Sequence, residues 1–370
     1  MNNHIRTVYR YLLGQIAGGE LKPGDLVPTE KELSEKFNTT RMNIYRVFKL
    51  LNSHNLIVSR KRAGTSVSAN PDMELASLLL DESNRLIYVL YSQTPHYIHW
   101  DNRSFESLES IVGKKDYTVY YKHIPAERNR DKLKQVLEEA TLAGISAMVI
   151  FPDSEDVAFL DENNDLLVDS KTPIFILNRG SNVGNLDFAS TISLDNFGDG
   201  ITIGRILRQN GFTHIIVLQG SNNRDFWHLR RLEGIRVGIK NCRPGKKIEI
   251  EGIDTSPEKY EYALKMIEKD KEDRKLAFVA INNLFAAQFM DFCSRKNLSS
   301  GRDYDLLAFD DNPIYRSYGI TSMAVRVREI GEIFGKMICD NSWFKDYPGR
   351  ITVRLASNLV IRSSCRELKY

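Results

Sequence analysis

Residues 39–51, TTRMNIYRVFKLL, carry side chains whose types and spacing could read a nucleic acid. At about 100° per residue along a helix, Arg41, Tyr45 and Lys49 share one side, with Met42 and Arg46 beside them. An apolar stripe of Ile44, Val47, Phe48 and Leu51 lies opposite. A guanidinium on such a face can bond guanine O6 and N7 together, and Asn43 and Tyr45 can reach base edges or phosphates. Solvent alone also accepts a basic outer face, so the neighbouring elements decide.

Those neighbours fit a groove reader. Ile5, Val8, Leu12 and Ile16 recur at helical spacing until GGELKPGD breaks the pattern. Thr29, with Glu32 three residues on, forms a capping box that starts a second helix through Leu33 to Phe37. NTT then turns the chain into the third helix, about Thr40 to His54. LIVSR, KRAG and TSVSA read as two β-branched strands around a glycine-containing turn. Three helices and a hairpin within residues 1–69 predict a winged helix-turn-helix, with its third helix suited to the major groove.

The charge distribution agrees. Residues 1–69 hold eleven Lys and Arg against five Asp and Glu, a net +6, while the whole chain is only +3. A basic head on a mildly acidic body is the footprint expected when the head alone touches nucleic acid. No apolar run approaches the roughly 20 residues of a membrane span, and the start MNNHIRTVYRYLL lacks the order of a signal peptide. The expected location is the cytoplasm. Cys242, Cys293, Cys339 and Cys365 form no metal-ligand spacing and read as buried thiols, with no metal expected.

At 370 residues the chain exceeds the size of one ordinary core. Residues 70–84 read as a linker that could itself be a short helix. From Arg85 onward, apolar β-rich runs (LIYVLY, YTVYY, ISAMVIF, PIFIL, ASTISL, HIIVLQG, IEIEGI, LAFVAI, YDLLAF, GITSMAV) alternate with helical stretches. This predicts an α/β body with parallel sheets covered on both faces, too many units for one sheet. The expected division is 1–69 head, 70–84 linker and 85–370 body, with lobe 1 at about 85–193 and 324–353 and lobe 2 at about 194–323 and 354–370.

Two resemblances sharpen this. LKPGDLVPTEKELSEKFNTTRMNIYRVFKLLNSHNLIVSRKRAGTSV resembles the GntR-type winged helix over about fifty residues. By position it places a DNA-contacting basic residue at Lys31, the recognition arginine at Arg41 and the wing-tip glycine at Gly64. Thr39-Thr40 replaces the usual Val-Ser, and Tyr45 stands where the family has a second arginine. Thr40, Arg46, Lys61 and Arg62 complete the expected DNA face.

The body resembles the periplasmic-binding-protein-like effector domain of the LacI/GalR type, through SLDNFGDGITIGRILRQNGFTHIIVLQGSNNRDFWHLRRLEGI, FVAINNLFAAQ, DLLAFDD and ASNLVIRSSC. Together, head and body are similar to the GntR/LacI hybrid type of the arabinose repressor. This implies a small ligand between two lobes, with contacts from Asn178, Arg231, Asn282 and Asp310. Amide, guanidinium and carboxylate groups suit the paired hydroxyls of a sugar. Arg231 and Asp310 could instead form a structural ion pair. Trp227, four residues before Arg231, could stack on a sugar face or belong to the core. Gln93 and Tyr97, in the loop after the first body strand, are further candidates.

Enzymatic alternatives find little support. GDGITIG, with Gly198, Gly200 and Gly204, approximates a dinucleotide fingerprint with one residue too many and no strand-end acid for a ribose. It reads instead as a lobe-crossing hinge leading into a helix N-terminus. There is no G-x-x-x-x-G-K-[ST], G-x-S-x-G or H-E-x-x-H motif, so neither catalytic residues nor a cofactor are expected. The expectation is a homodimeric, sugar-responsive repressor binding operator DNA and a monosaccharide. The alternatives are a DNA-tethered sugar- or nucleotide-processing enzyme, or an activator responding to a non-sugar metabolite.

Overall fold

In the computed structural model, Asn3–Ala17 form α1, Glu30–Lys36 α2 and Arg41–Ser53 α3, followed by β1 at Ile57–Arg60 and β2 at Gly64–Val67. The structure describes the chain apart from residues 1–2, 62, 81–84, 93–94, 126, 170–171, 181–185, 221–225, 241–247, 270–274, 341–349, 366–367 and 369–370. Thr29 caps α2 as expected: its backbone N–H donates to Glu32 Oε2 at 2.7 Å, and Glu32 N–H donates to Thr29 Oγ1 at 3.3 Å. Asn38 leaves α2 with φ 48°, a left-handed conformation that asparagine tolerates, and Thr40 then caps α3. The stripe Ile44, Val47, Phe48 and Leu51 is buried against Tyr9, Leu12 and Leu13 of α1 and Leu33 of α2.

The connection to the body is a packed element. Within residues 70–84, Met73–Leu80 form α4. Its Leu75, Ala76 and Leu79 are buried, and Arg10 Nη2 of α1 donates to the Leu80 carbonyl at 2.7 Å.

The body begins with β3 (Leu86–Tyr91), α5 (Pro95–Val112), β4 (Thr118–His123), α6 (Arg130–Ala143), β5 (Ala147–Phe151), α7 (Ser154–Glu162), α8 (Asn164–Val168), β6 (Ile174–Asn178) and β7 (Ser190–Leu194). The chain crosses to a second lobe through α9 (Asn196–Gln209), β8 (His214–Leu218), α10 (Phe226–Lys240), β9 (Glu249–Ile253), α11 (Pro257–Lys269), β10 (Leu276–Ala280), α12 (Asn283–Ser294), β11 (Asp305–Asp310) and β12 (Thr321–Ala324). It returns through α13 (Val327–Cys339) and β13 (Thr352–Leu355), and crosses again to β14 (Asn358–Val360).

The lobe 1 sheet runs β13-β7-β6-β5-β3-β4, all parallel. The lobe 2 sheet runs β14-β12-β11-β10-β8-β9, with β14 alone antiparallel. Both are doubly wound, so each lobe has a switch point beside its first strand where carboxyl ends open a crevice. The returning strand stays paired with β7 through Leu355 opposite Leu194, two residues beyond the expected crossing at 353.

The glycines of GDGITIG lie on α9, which opens just after the lobe crossing. Gly198 N–H donates to the Asp195 cap at 3.1 Å, while Gly200 and Gly204 serve helix packing: a Cβ on Gly200 would stand 2.3 Å from the Arg231 carbonyl, and one on Gly204 2.2 Å from that of Ile235. Gly234 and Gly238 of α10 face them in turn, so the two backbones touch.

Candidate functional site

On the head, Arg41, Tyr45, Arg46 and Lys49 are all exposed, and Tyr45 and Met42 are 54% and 61% exposed. Large side chains with that much open surface are not held by the core. Gly64 opens β2 opposite Arg60 with φ 84°, which only glycine adopts freely, and Lys61 is exposed in the same turn. Lys31 is solvated, 4.0 Å from Glu35. Thr40 keeps an exposed hydroxyl while accepting from Asn43 N–H at 3.3 Å.

Asn43 stands in the first turn of α3. Its Nδ2 donates to Thr39 Oγ1 at 2.8 Å, half-buried at the helix start, so its amide bonds the preceding turn while Arg41 and Tyr45 face outward. Arg62 lies outside the described residues.

In the body, Asn178, Asn282 and Asp310 sit at strand ends, and Trp227 and Arg231 on α10. Asn178 closes β6 and accepts from Gly180 N–H at 2.8 Å. Asn282 caps α12 just after β10, accepting from Phe285 N–H at 2.9 Å. Asp310 ends β11 with φ 90°, followed by Asp311 at 54°. Two successive non-glycine residues in this region store strain, which places the two carboxylates apart. Asp311 bonds Arg362 at 2.6 Å, while Asp310 faces Arg231.

Arg231 is 4% exposed and donates three ways: Nη2 to Asp310 Oδ1 at 2.5 Å, Nη1 to the Ile281 carbonyl at 2.6 Å, and Nε to Asn196 Oδ1 at 2.8 Å. The ion pair left open by the sequence is therefore formed. Trp227 lies over the guanidinium at 4.7 Å, with its Cβ against Gly180 of lobe 1. Trp227 is thus half-buried between the pair and the facing lobe. Gln93 and the side chain of Tyr97 lie outside the described residues.

Sequence reasoning missed the residues that join these. Asn196 Nδ2 donates to the Arg179 carbonyl at 3.0 Å, so hydrogen bonds run from Asp310 through Arg231 and Asn196 into lobe 1. Arg179 itself donates to Asp101 at 2.5 Å and to the Pro152 carbonyl at 3.2 Å. Burial pushes the Asp101 carboxyl up, opposed by Arg179. Asp199 takes two bonds from Ser357 on a second crossing. Arg179, Asn196 and Asp199 have one sequence signal, their position beside a strand end or crossing, and Asp101, inside α5, has none.

His228 adds an unusual group: it is 8% exposed, neither ring nitrogen has a hydrogen-bond partner among the described residues, and it lies against Trp227 and Phe285. Burial, aided by the charge of Arg231, lowers its pKa to about 4. A cavity of about 150 Å³ opens beside Asn178, Ser193, Asn196 and Arg354. Among the described residues, no group of three His, Cys, Asp or Glu could hold a metal, and no helix is long and apolar enough to cross a membrane.

The geometry defines a two-domain class: a winged helix-turn-helix head on a two-lobed body whose strand ends converge on a crevice. Residues 4–67 match the gntR family of bacterial regulatory proteins, and residues 205–365 match the periplasmic binding protein-like domain. Solved structures share the body fold. A LacI family transcriptional regulator from Enterococcus faecium with bound ribose is 17% identical, covering 77% of this chain and 100% of its own, with a TM-score of 0.55. A probable maltose operon transcriptional repressor from Staphylococcus aureus is 15% identical over 77% of this chain and 99% of its own, with a TM-score of 0.57. A periplasmic binding ribose operon repressor protein from Lactobacillus acidophilus is 14% identical over 76% and 99%, at 0.54. This chain is a transcriptional regulator with a GntR-type DNA-binding head and a periplasmic-binding-protein-like effector domain.

Proposed function

We propose that this regulator is a cytoplasmic, homodimeric repressor that reads operator DNA with α3 and its wing and responds to a monosaccharide held between the lobes. Arg41, Asn43, Tyr45, Arg46, Lys61, Arg62 and Gly64 form the DNA face, with Lys31 and Thr40 at its phosphate edge. Asn178, Trp227, Arg231, Asn282 and Asp310 form the sugar site, with Gln93 and Tyr97 as further ligand contacts.

One observation carries the ligand reading. The buried Arg231–Asp310 pair stands at the strand ends of lobe 2, beneath Trp227, and its hydrogen bonds reach lobe 1 through Asn196. A planar aromatic beside paired charged donors and acceptors suits a compact ligand with an apolar body and hydroxyl edges. The ribose in the Enterococcus faecium structure supports a sugar in this fold. Ligand closure would alter the dimer and so the spacing of two heads that must meet half-sites about one helical turn or a multiple apart.

A thermal-shift screen of the full chain over pentoses, hexoses, deoxysugars and sugar acids tests this. The expected result is stabilisation by a narrow set, at about 3 kcal/mol when the sugar exceeds its Kd a hundredfold or more. The same sugar should change the affinity for duplex selected from a randomised pool. A flat response across every sugar, with a shift from a non-sugar metabolite, would sink the carbohydrate assignment.

A further inference from the structure

Two cavities lie between the head and lobe 1. One of about 410 Å³ is lined by Arg46 and Lys49 of α3 and by Lys134, Gln135 and Glu138 of α6. Another of about 690 Å³ joins Tyr45, Lys49, Arg60 and Gly64 to Gln135. Beside them, α6 meets the end of α3, and one hydrophobic cluster runs through both units, including Ile5, Leu50, Leu137 and Leu142.

Inside this seam sits Glu139, 3% exposed. From the head, Ser53 Oγ donates to Glu139 Oε1 at 2.5 Å, and His54 Nε2 stands 3.6 Å from Oε2. The hydroxyl of Tyr9 holds the other ring nitrogen of His54 at 3.2 Å. From lobe 1, Lys122 Nζ bonds Oε2, and Gln135 Nε2 donates to Oε1 at 3.2 Å. Burial pushes this carboxyl up, but the facing His54 and the Lys122 charge overcome it and hold it at about 2.

A buried carboxylate is tolerated only while its partners stay in place. Here they come from two folded units, so the carboxylate's bonds to Ser53 and His54 tie the head to lobe 1. We infer that Glu139 is a positioning residue for DNA binding: it locks the end of the recognition helix onto lobe 1. A movement of lobe 1 then turns α3 through α6 as well as through α4. The joint itself is independent of the DNA-binding reading; its positioning role rests on that reading.

Amine-reactive cross-linking of the full chain tests the joint, because Lys49 and Lys134 face one cavity. Mixing light and heavy chains identifies links made within one chain. The expected result is an intrachain Lys49–Lys134 link in the wild type. Its yield, normalised to links within lobe 2, should fall about tenfold in Glu139→Gln, because a charged hydrogen-bonded group is lost. Glu139→Asp should restore part of it, and Lys122→Gln serves as the second variant if Glu139→Gln fails to fold.

The second measurement is affinity for duplex that the wild type selects from a randomised pool. Glu139→Gln should bind it more weakly while preferring the same bases, a pattern that lowered stability alone would not produce below the melting temperature. Absence of the link in the wild type, or equal yield in the variants, overturns the joint. Unchanged affinity overturns its positioning role. If the wild type selects no duplex, the DNA-binding reading fails and the cross-link result still decides the joint.

Discussion

Arg231 donates to Asp310 at 2.5 Å with both side chains buried, and Asp310 holds that position at φ 90°. Strain at a strand end and a buried charge pair coincide in one residue. Each is tolerated where the surrounding structure imposes it, and both cluster at ligand sites.

Asp310→Asn therefore leaves the Arg231 cation without its counter-charge and is expected to destabilise the chain by about 3 kcal/mol or more. Replacing both partners with apolar residues, Arg231→Met with Asp310→Leu, should recover much of that stability. It should not recover sugar-induced stabilisation. Chemical denaturation with and without the sugar found in the screen measures both. Recovery of the sugar response in the double variant would show the pair to be structural only.

His228 gives a pH dependence with a definite sign. Its folded pKa lies near 4 against an ordinary 6.5, so the unfolded chain binds a proton between these values while the folded chain does not. Stability should be fully present above about pH 6.5 and fall as pH drops toward 4, by about 3 kcal/mol from this group. The difference in unfolding free energy between wild type and His228→Phe, measured from pH 4.5 to 7.5, should carry this slope. A pH-independent difference would mean that His228 protonates equally easily in both states.

The glycine contact predicts a packing effect. Gly200→Ala would place a methyl 2.3 Å from the Arg231 carbonyl and 3.0 Å from Gly234 Cα, both backbone atoms that cannot turn aside. Forcing α9 from α10 is expected to destabilise by about 1–3 kcal/mol. It would also displace Arg231 from Asn196, so sugar affinity should fall with stability. A melt unchanged within error would refute the close approach.

Local signals were legible in the sequence and distant pairings were not. The cap at Thr29, the stripe from Ile44 to Leu51 and the ten apolar strands follow from residues a few positions apart. The two edge strands β13 and β14, one in each lobe, were missed because ITVRLASNLV carries no strong turn signal between two short segments. Arg179 and Asp101 are 78 residues apart, and Asn196 is 35 from Arg231, so no periodicity links them. Nothing in the sequence sets Glu139 apart from the other acids of α6. Only the fold shows that α3 ends against it.

The recognition helix divides the DNA prediction by residue. Arg41 is exposed at the first turn of α3, and Tyr45 stands one turn further along the same face. Arg41→Ala is expected to weaken binding to selected duplex by about 1–3 kcal/mol and to relax base preference at one position of each half-site. Lys61→Ala should instead weaken binding to all sequences evenly and reduce the salt slope by about one. Tyr45→Arg should shift the preferred bases, because it replaces a phenol with a fork that can pair guanine. Fluorescence anisotropy over a salt series, with single-base duplex variants, separates these outcomes. If Arg41→Ala and Lys61→Ala lose affinity without any change in base preference, α3 contacts phosphates only and the sequence is read elsewhere.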